Sequence, residues 1–421
     1  MRQRLFGGAL WGNPDFLKLW AGQTISRFGS QVSQLALPTL AIIGLHANAL
    51  QVGILATLEF LPFPLLGLVA GVYSDRVRRR PLMIACDVGR ALLLGTIPAA
   101  AGLGVLGLAQ LYVVAFATGV LTVFFDVSYQ SCLPALVERS ELVEGNSKLE
   151  VTNSSAQVAG PAFAGFLLQA VGAALAVTAD AVSFLVSSAS LALIRRPEPA
   201  KEAPEPGLGI ETGFLAELRE GVGVVLRNPV LRRIAGCTAT SNLGTSMFFA
   251  VELIFAYKVL HLSPGTVGLI FALGSVGSLL GALSTTWITA RTGVGPSLVL
   301  TSTVGGLALF LTPLATLGAA FPLMVGTTFV GGFMVPVYNI NQVSLRQAIT
   351  PHRVQGRMNA TMRTIVWGTM PLGSIVGGLM GTWWGPVPTL IAGACASSAA
   401  GLWILSPRIL AIRTQPEPVA A

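Results

Sequence analysis

Charged side chains are scarce in this sequence: Asp, Glu, Lys and Arg make up 10% of 421 residues. A water-soluble chain carries about 25%, so there are too few here to cover a surface facing water. Lipid is the solvent for most of the chain, as a hydrophobic content of 53% and a mean hydropathy of +0.72 also require. Cysteine is scarce too: Cys86, Cys132, Cys237 and Cys395 lie in or beside apolar runs without CxxC spacing, which argues against a disulfide framework or a zinc site. His46, His261 and His352 fall in or near loops, and no pair has metal-ligand spacing. Walker, GxSxG and HExxH patterns are absent, so ATP drive and hydrolytic chemistry lack support. No enzyme activity, metal or cofactor is expected. The N-terminal MRQRLFGGALWGNPDF has no long apolar core before a small-residue cleavage site, and reads as uncleaved. The net charge of +8 does not point to nucleic acid, because the basic residues punctuate apolar runs instead of forming one patch.

What is present is a series of long apolar runs. A bilayer core takes about 20 mostly apolar residues per helix. Twelve such spans can be laid out, at 16–45, 50–73, 82–103, 107–130, 149–170, 173–194, 231–257, 265–289, 297–317, 321–345, 360–383 and 387–406. Their many glycines suit close helix packing in lipid. The short alternating segments of a membrane β-barrel are missing. The expected fold is therefore all-α and integral to the membrane, with twelve transmembrane helices.

Basic residues orient the spans. Of the 26 Lys and Arg, all but Arg27, Arg90 and Lys258 lie at the N-terminus, at every second loop or at the C-terminus. The opposite loops HANALQ, GLGVLGLAQ, QAVGAA, TLGAAFP and GTWWGPVP contain none. Positive charge stays inside, so both termini and the central loop are expected in the cytoplasm, and a wrong helix count would scramble the asymmetry. The central loop opens Pro/Glu-rich, as an extended linker. From about residue 211, Phe214, Leu215, Leu218, Val222 and Val225 recur at helical spacing, predicting a short helix on the inner membrane surface.

The chain also repeats weakly. A shift of 215 places Asn13-Pro14 on Asn228-Pro229, Gly29 on Gly244, His46 on His261 and Arg76 on Arg291; a shift of 213 places Gly160 on Gly373. Two pseudo-symmetric six-helix bundles in the same orientation follow, a transporter design. The expected organisation is a bundle at 1–194, a cytoplasmic linker with an interfacial helix at 195–229, a second bundle at 230–408 and a cytoplasmic tail at 409–421.

Between the second and third spans stands GVYSDRVRRRP, five of whose eleven residues are charged. It resembles the loop signature of the major facilitator superfamily: a glycine, an aspartate four residues on, then arginine and a basic pair. The resemblance implies that Gly71 lets helices approach while Asp75, Arg76, Arg79 and Arg80 form a charge network closing the cytoplasmic side. Topogenic arginines are the plainer reading, and Asp75 discriminates, since orientation needs no acid. The repeat lands Asp75 on Ala290, so the second half departs from the pattern. VAGPAFAG on the fifth span is similar to the Gly-Pro motif of the family's antiporters through Gly160, Pro161 and Gly165; an ordinary kinked membrane helix is the alternative. The family's arginine signature on the fourth span is absent from YVVAFATGVLTVFFD. The stretches FDVSYQSCLPALVERSELVEGNSKLEVTNSSAQVAGP and DAVSFLVSSASLALIRRPEP resemble the bacterial branch of macrolide-type efflux pumps and the enterobactin exporter.

Charges inside the membrane are costly and face partners or water. Asp87, Arg90, Asp126 and Glu150 lie toward the cytoplasmic ends of their spans, with Asp87 and Arg90 on one helical face. With Asp75 they are expected to make one inner ion-pair cluster acting as gate or brace. Arg27 and Glu59 lie deeper on antiparallel neighbours, and read either as a functional pair lining the cavity, with Glu59 carrying the proton, or as a buried structural bridge. Asp180 and Glu252 belong to the outer half, as an outer gate or a second protonation site; Glu252 could equally snorkel outward beside Lys258. Tyr338, Asn339, Asn341, Gln342 and Trp367 are the substrate-cavity candidates of the second half, or amides that simply join helices. The expected protein is a monomeric secondary transporter of the bacterial inner membrane that exports a small amphiphilic molecule by proton antiport. Lipid transport and import are the alternatives.

Overall fold

The computed structural model describes residues 9–130, 132, 136–138, 141–196 and 222–414, and its regular structure is helical, with no strand among the described residues. Among the described residues ten helices are long and apolar enough to cross a bilayer. Two more of membrane length, α1 (Pro14–Thr39, 26 residues) and α6 (Leu142–Val171, 30 residues), bring the number to twelve. Those two fall outside the apolar set because Gln23, Arg27 and Gln31 on one, and Asn146, Glu150, Asn153 and Gln157 on the other, interrupt their apolar surfaces.

Two compact units divide the chain: Met1–Lys201 with His261–Ala272, and Glu202–Leu260 with Leu273–Ala421. In the first, α1 packs on α6 and on α7 (Ala173–Ala192), α7 packs on α4 (Arg79–Gly102), and α4 packs on α5 (Leu108–Gln130). The expected second span is two helices, α2 (Ala49–Phe60) and α3 (Pro62–Arg76), both lying on α5. Pro62 and Pro64 cannot donate backbone hydrogen bonds to the preceding turn, and the helix breaks there.

In the second unit, α8 (Pro229–Ile254) is held between α13 (His352–Trp383) and α14 (Pro386–Ala399), and α10 (Val294–Ala308) packs on α12 (Ala320–Ala348) and α14. Between α8 and α10 runs α9 (Pro264–Thr292), its first turns grouped with the first unit and the remainder with the second.

Local geometry repeats where the sequence does. The side chain of Asn13 accepts from the backbone N–H groups of Asp15 and Phe16, and Asn228 accepts from those of Val230 and Leu231, each ahead of a proline in the first turn. Both N-caps satisfy donors that a helix start leaves open. Each following helix ends in a π-turn, Leu40–Gly44 and Phe255–Val259, and then in a left-handed histidine, His46 at φ 53° and His261 at φ 52°. Tight contacts repeat as well: a Cβ on Gly29 would lie 2.2 Å from Ser183 Oγ, and one on Gly244 2.5 Å from Ser397 N. Asn13→Ala or Asn228→Ala is expected to cost about 1 kcal/mol each, seen as similar falls in melting temperature of the purified protein; unequal falls would show that the two caps are not equivalent.

Of the expected interfacial helix only 222–227 lies within the described residues. These are helical, and Val225 is fully buried in the second unit's core with Leu231, Ile234, Val294 and Met358. At this end, then, Val225 packs into protein, while the neighbouring Leu226 is exposed.

Candidate functional site

Residues on three helices of the first unit converge on a cavity of about 440 Å³. Gln23 and Arg27, four apart on α1, form one wall; Tyr129 closes the end of α5; Asn146, Leu149, Glu150, Thr152 and Asn153 line it from α6. Tyr129 stands at the end of α5 and Asn146 in the first turns of α6, so the cavity lies at the end of the unit where the chain passes from α5 to α6. Spacing puts Asn146, Glu150, Asn153 and Gln157 on one face of α6, and a polar stripe on a membrane helix must face water or protein.

Arg27 does not pair with Glu59. Its Nη2 lies 3.7 Å from Asp126 Oδ1 on α5, both side chains about one-third to two-fifths exposed (40% and 32%). A solvated bridge of this length contributes at most about 1 kcal/mol. Antiparallel neighbours allow many facings, and the turn of α1 presents Arg27 to α5. Glu59, half-buried near the end of α2, sets its carbonyl oxygen against Gly119.

Among the described residues the inner charges form two ion pairs, and Asp75 of the expected cluster has its side chain outside them. Asp126 belongs to Arg27, while Asp87 and Arg90 form a separate pair in the core of the first unit, 0% and 4% exposed. Arg90 Nη2 donates to Asp87 Oδ1, and Nη1 donates to Thr122 Oγ1 at 3.4 Å. Its guanidinium sits 4.4 Å from the Phe125 ring centre and 4.1 Å from that of Phe184. Held between two aromatic faces and an acid, it braces α4, α5 and α7. Asp180, 2% exposed on α7, accepts from Ser183 Oγ at 3.1 Å, against Gly29 of α1.

In the GVYSDRVRRRP stretch the side chains of Asp75 and Arg76 lie outside the described set; their backbone forms the last turn of α3. Gly71 does not mediate a close approach, since a Cβ there would meet nothing within 4 Å. Arg79 and Arg80 begin α4, and Arg80 Nη1 donates to the carbonyls of Ile194 at 2.7 Å and Arg196 at 3.3 Å. Asp15 accepts from Lys18 Nζ and from the backbone N–H groups of Arg195 and Arg196. Together they anchor the end of α7, where the central linker departs.

The helix-5 motif is a contact surface. A Cβ on Gly160 would lie 2.4 Å from Gln31 Cγ of α1. Gly165 lies against Pro264 and Gly268, in the residues of α9 that belong to the first unit. Pro161 stands within α6, which runs through it unbroken.

In the second unit, Glu252 is 1% exposed and its Oε1 has no hydrogen-bond partner among the described residues, so it does not snorkel outward. Asn341 joins helices: it accepts from Thr289 Oγ1 at 3.0 Å and donates to Ser297 Oγ at 3.4 Å and to the Val337 carbonyl at 2.9 Å. The Tyr338 hydroxyl bonds Thr238 Oγ1 at 2.8 Å. Gln342 is buried, Asn339 is exposed, and Trp367 lies under the Arg363 guanidinium at 4.6 Å. Tyr338 and Asn341 thus have packing roles.

Sequence reasoning missed Gln23, Tyr129, Asn146 and Asn153 as cavity residues. The signal was available in the i, i+4 spacing of Gln23 with Arg27 and the period of the α6 stripe.

Comparison with known proteins fits this geometry. The profile of the family described as "Transmembrane secretion effector" matches residues 9–417. Multidrug efflux pump Tap of Mycolicibacterium fortuitum is 26% identical over 384 residues, covering 87% of this chain and 88% of that one. Macrolide efflux protein A of Streptococcus pyogenes is 24% identical over 375 residues, covering 86% and 88%. A bacterial homologue of the iron transporter ferroportin, solved in an inward-facing state, superposes with a TM-score of 0.74 at 17% identity, over 94% of this chain and 98% of that one. At that identity the likeness shows the fold alone.

Proposed function

The chain belongs to the transmembrane secretion effector family of major facilitator transporters, and is no enzyme; from that membership we infer that it exports a small amphiphilic organic molecule, drug- or siderophore-like, across the bacterial cytoplasmic membrane. Two relatives named as efflux pumps support export as the direction. The observation that carries the reading is the cavity of about 440 Å³, polar and charged, set among helices of membrane length. Such a volume is that of a drug-sized ligand site, and a packed structural bundle would have filled it with apolar side chains. The termini and the arginine-rich ends are taken as cytoplasmic, which opens this cavity toward the inside. Transport proceeds by alternating access of the two repeats, the monomer sufficing, with inward proton movement as the drive, since 100 mV is worth roughly 2.3 kcal/mol per charge.

Everted membrane vesicles test this. On energisation they should accumulate a lipophilic drug, and a protonophore should collapse the accumulation. Accumulation of a lysophospholipid in place of every drug in a panel would reassign the substrate, and no accumulation of either would refute the reading. Within it Asp75 closes the cytoplasmic side, so Asp75→Asn is expected to abolish accumulation while protein stays in the membrane; unchanged transport would remove that role. Glu59 is the proton carrier, so Glu59→Gln should no longer release protons when drug is added to the purified protein.

A further inference from the structure

Of the charges at the first unit's arginine-rich turn, the second unit keeps Arg291 alone. The shift of 215 sets Asp75 on Ala290, Arg78 on Gly293, Arg79 on Val294 and Arg80 on Gly295. In the first unit Arg80 Nη1 reaches the carbonyls of Ile194 and Arg196, just beyond α7. A glycine cannot reach, and in the second unit the chain beyond the last span comes to the turn instead. That segment makes one short helical turn, Pro407–Leu410, and runs on past Arg413.

Its contacts are made largely by backbone. The first N–H groups of a helix have no partner within it, and Gly293 offers α10 no side-chain cap. The Val294 N–H donates to the Arg413 carbonyl at 3.3 Å, and the Gly295 N–H to the Ile412 carbonyl at 2.8 Å. Arg413 Nη1 donates in turn to the carbonyl of Thr292, the last residue of α9, at 3.1 Å. A cation suits a helix C-terminus, where carbonyls are left open. Ile409 anchors the segment: it is fully buried, in one core cluster with Leu231, Ile234, Val294 and Leu298. A Cβ on Gly295 would overlap the Ile409 carbonyl oxygen, and one on Gly293, at φ 90°, would lie 3.1 Å from Arg413 Cα. These two glycines let backbone meet backbone. Residues 281–300 and 401–413 contain no acid, so the turn is held without an ion pair of its own.

We propose that residues 406–413 form a clasp on the α9–α10 turn, which takes the place of the missing arginine tether and on which transport depends. It caps the end of α9 and the start of α10 together. Only its role in transport rests on the export reading; the seating of the segment does not.

The test follows hydrogen–deuterium exchange of the full-length protein in lipid nanodiscs, with everted vesicles for transport. Gly295→Arg restores the residue that the first half has at this place. It should unseat the segment, raising exchange at Val294 and at residue 295 roughly tenfold or more, since two hydrogen bonds are lost. Drug accumulation should fall with it, at unchanged protein level in the membrane. Ile409→Ala, which weakens the anchor without a clash, should move both readouts in the same direction. Arg408→Ala, exposed on the same short turn, should move neither. Exchange of the first unit should match the wild type in all three, which separates unseating from unfolding. If Gly295→Arg and Ile409→Ala leave exchange at the wild-type level, the clasp is refuted. Faster exchange with normal accumulation would overturn its role in transport. If the wild type accumulates no drug, the export reading has failed, and exchange alone decides the clasp.

Discussion

Asp87→Ala is expected to destabilise the purified protein by about 3–5 kcal/mol, because it leaves the Arg90 guanidinium buried without its acid. Arg90 is 4% exposed, and the rings of Phe125 and Phe184 flank it at 4.4 and 4.1 Å. It cannot reach water without moving α4 or α7. The rings soften the loss, since a desolvated cation over an aromatic face gains roughly 2 kcal/mol, yet they cannot replace a hydrogen-bonded carboxylate. Thr122 is the neutral partner that remains, at 3.4 Å. Removing both charges is a different matter: Asp87→Ala with Arg90→Met leaves apolar side chains between two aromatic rings, and should recover most of the stability. Thermal denaturation of the four proteins in detergent closes the cycle. If the double variant is no more stable than Asp87→Ala, the pair is not the brace described here.

That brace shows where the sequence was legible. Asp87 and Arg90 stand three apart, and helical periodicity alone put them on one face. The twelve crossings followed from apolar length and the placement of arginine, since lipid permits few alternatives. The shift of 215 also had structural content, because Asn13 and Asn228 cap their helices alike and His46 and His261 share a left-handed turn. Rotation of one helix about its axis relative to its neighbours was not legible. Arg27 meets Asp126 while Glu59 lies against Gly119, seven residues and about 10 Å away along α5, so both the facing and the relative depth of this pair escaped the span boundaries. Gly71 is another case: a motif records which residue stands there, and only the fold shows that a Cβ added to it would meet nothing within 4 Å among the described residues. The cavity needed both kinds of information, since the polar stripe was visible in α6 while its meeting with Gln23 and Arg27 depends on how α1 is turned.

Gly165→Leu and Gly268→Leu are each expected to reduce transport more than tenfold while protein remains in the membrane. A Cβ on Gly165 would lie 2.6 Å from the Pro264 carbonyl oxygen and 2.8 Å from Gly268 Cα; one on Gly268 would lie 2.4 Å from the Pro161 oxygen and 2.7 Å from Gly165 Cα. These neighbours are backbone and cannot rotate away, so any side chain must push α6 and the first turns of α9 apart. Close backbone approach is how small residues hold helices together in lipid, where no hydrophobic force drives association. Separation would also break the bond from Ser263 Oγ to Gln169 Oε1, 3.3 Å long. Under the alternating access proposed above, this contact belongs to one state of the cycle, and a variant unable to form it loses that state. Leucine adds apolar bulk without charge, so insertion itself should not suffer. Labelling separates the outcomes: Ser263→Cys should react faster with a membrane-impermeant maleimide when Gly165→Leu is present. Normal transport with unchanged labelling would show that the helices accommodate the side chain, and that this glycine pair is packing and not part of the cycle.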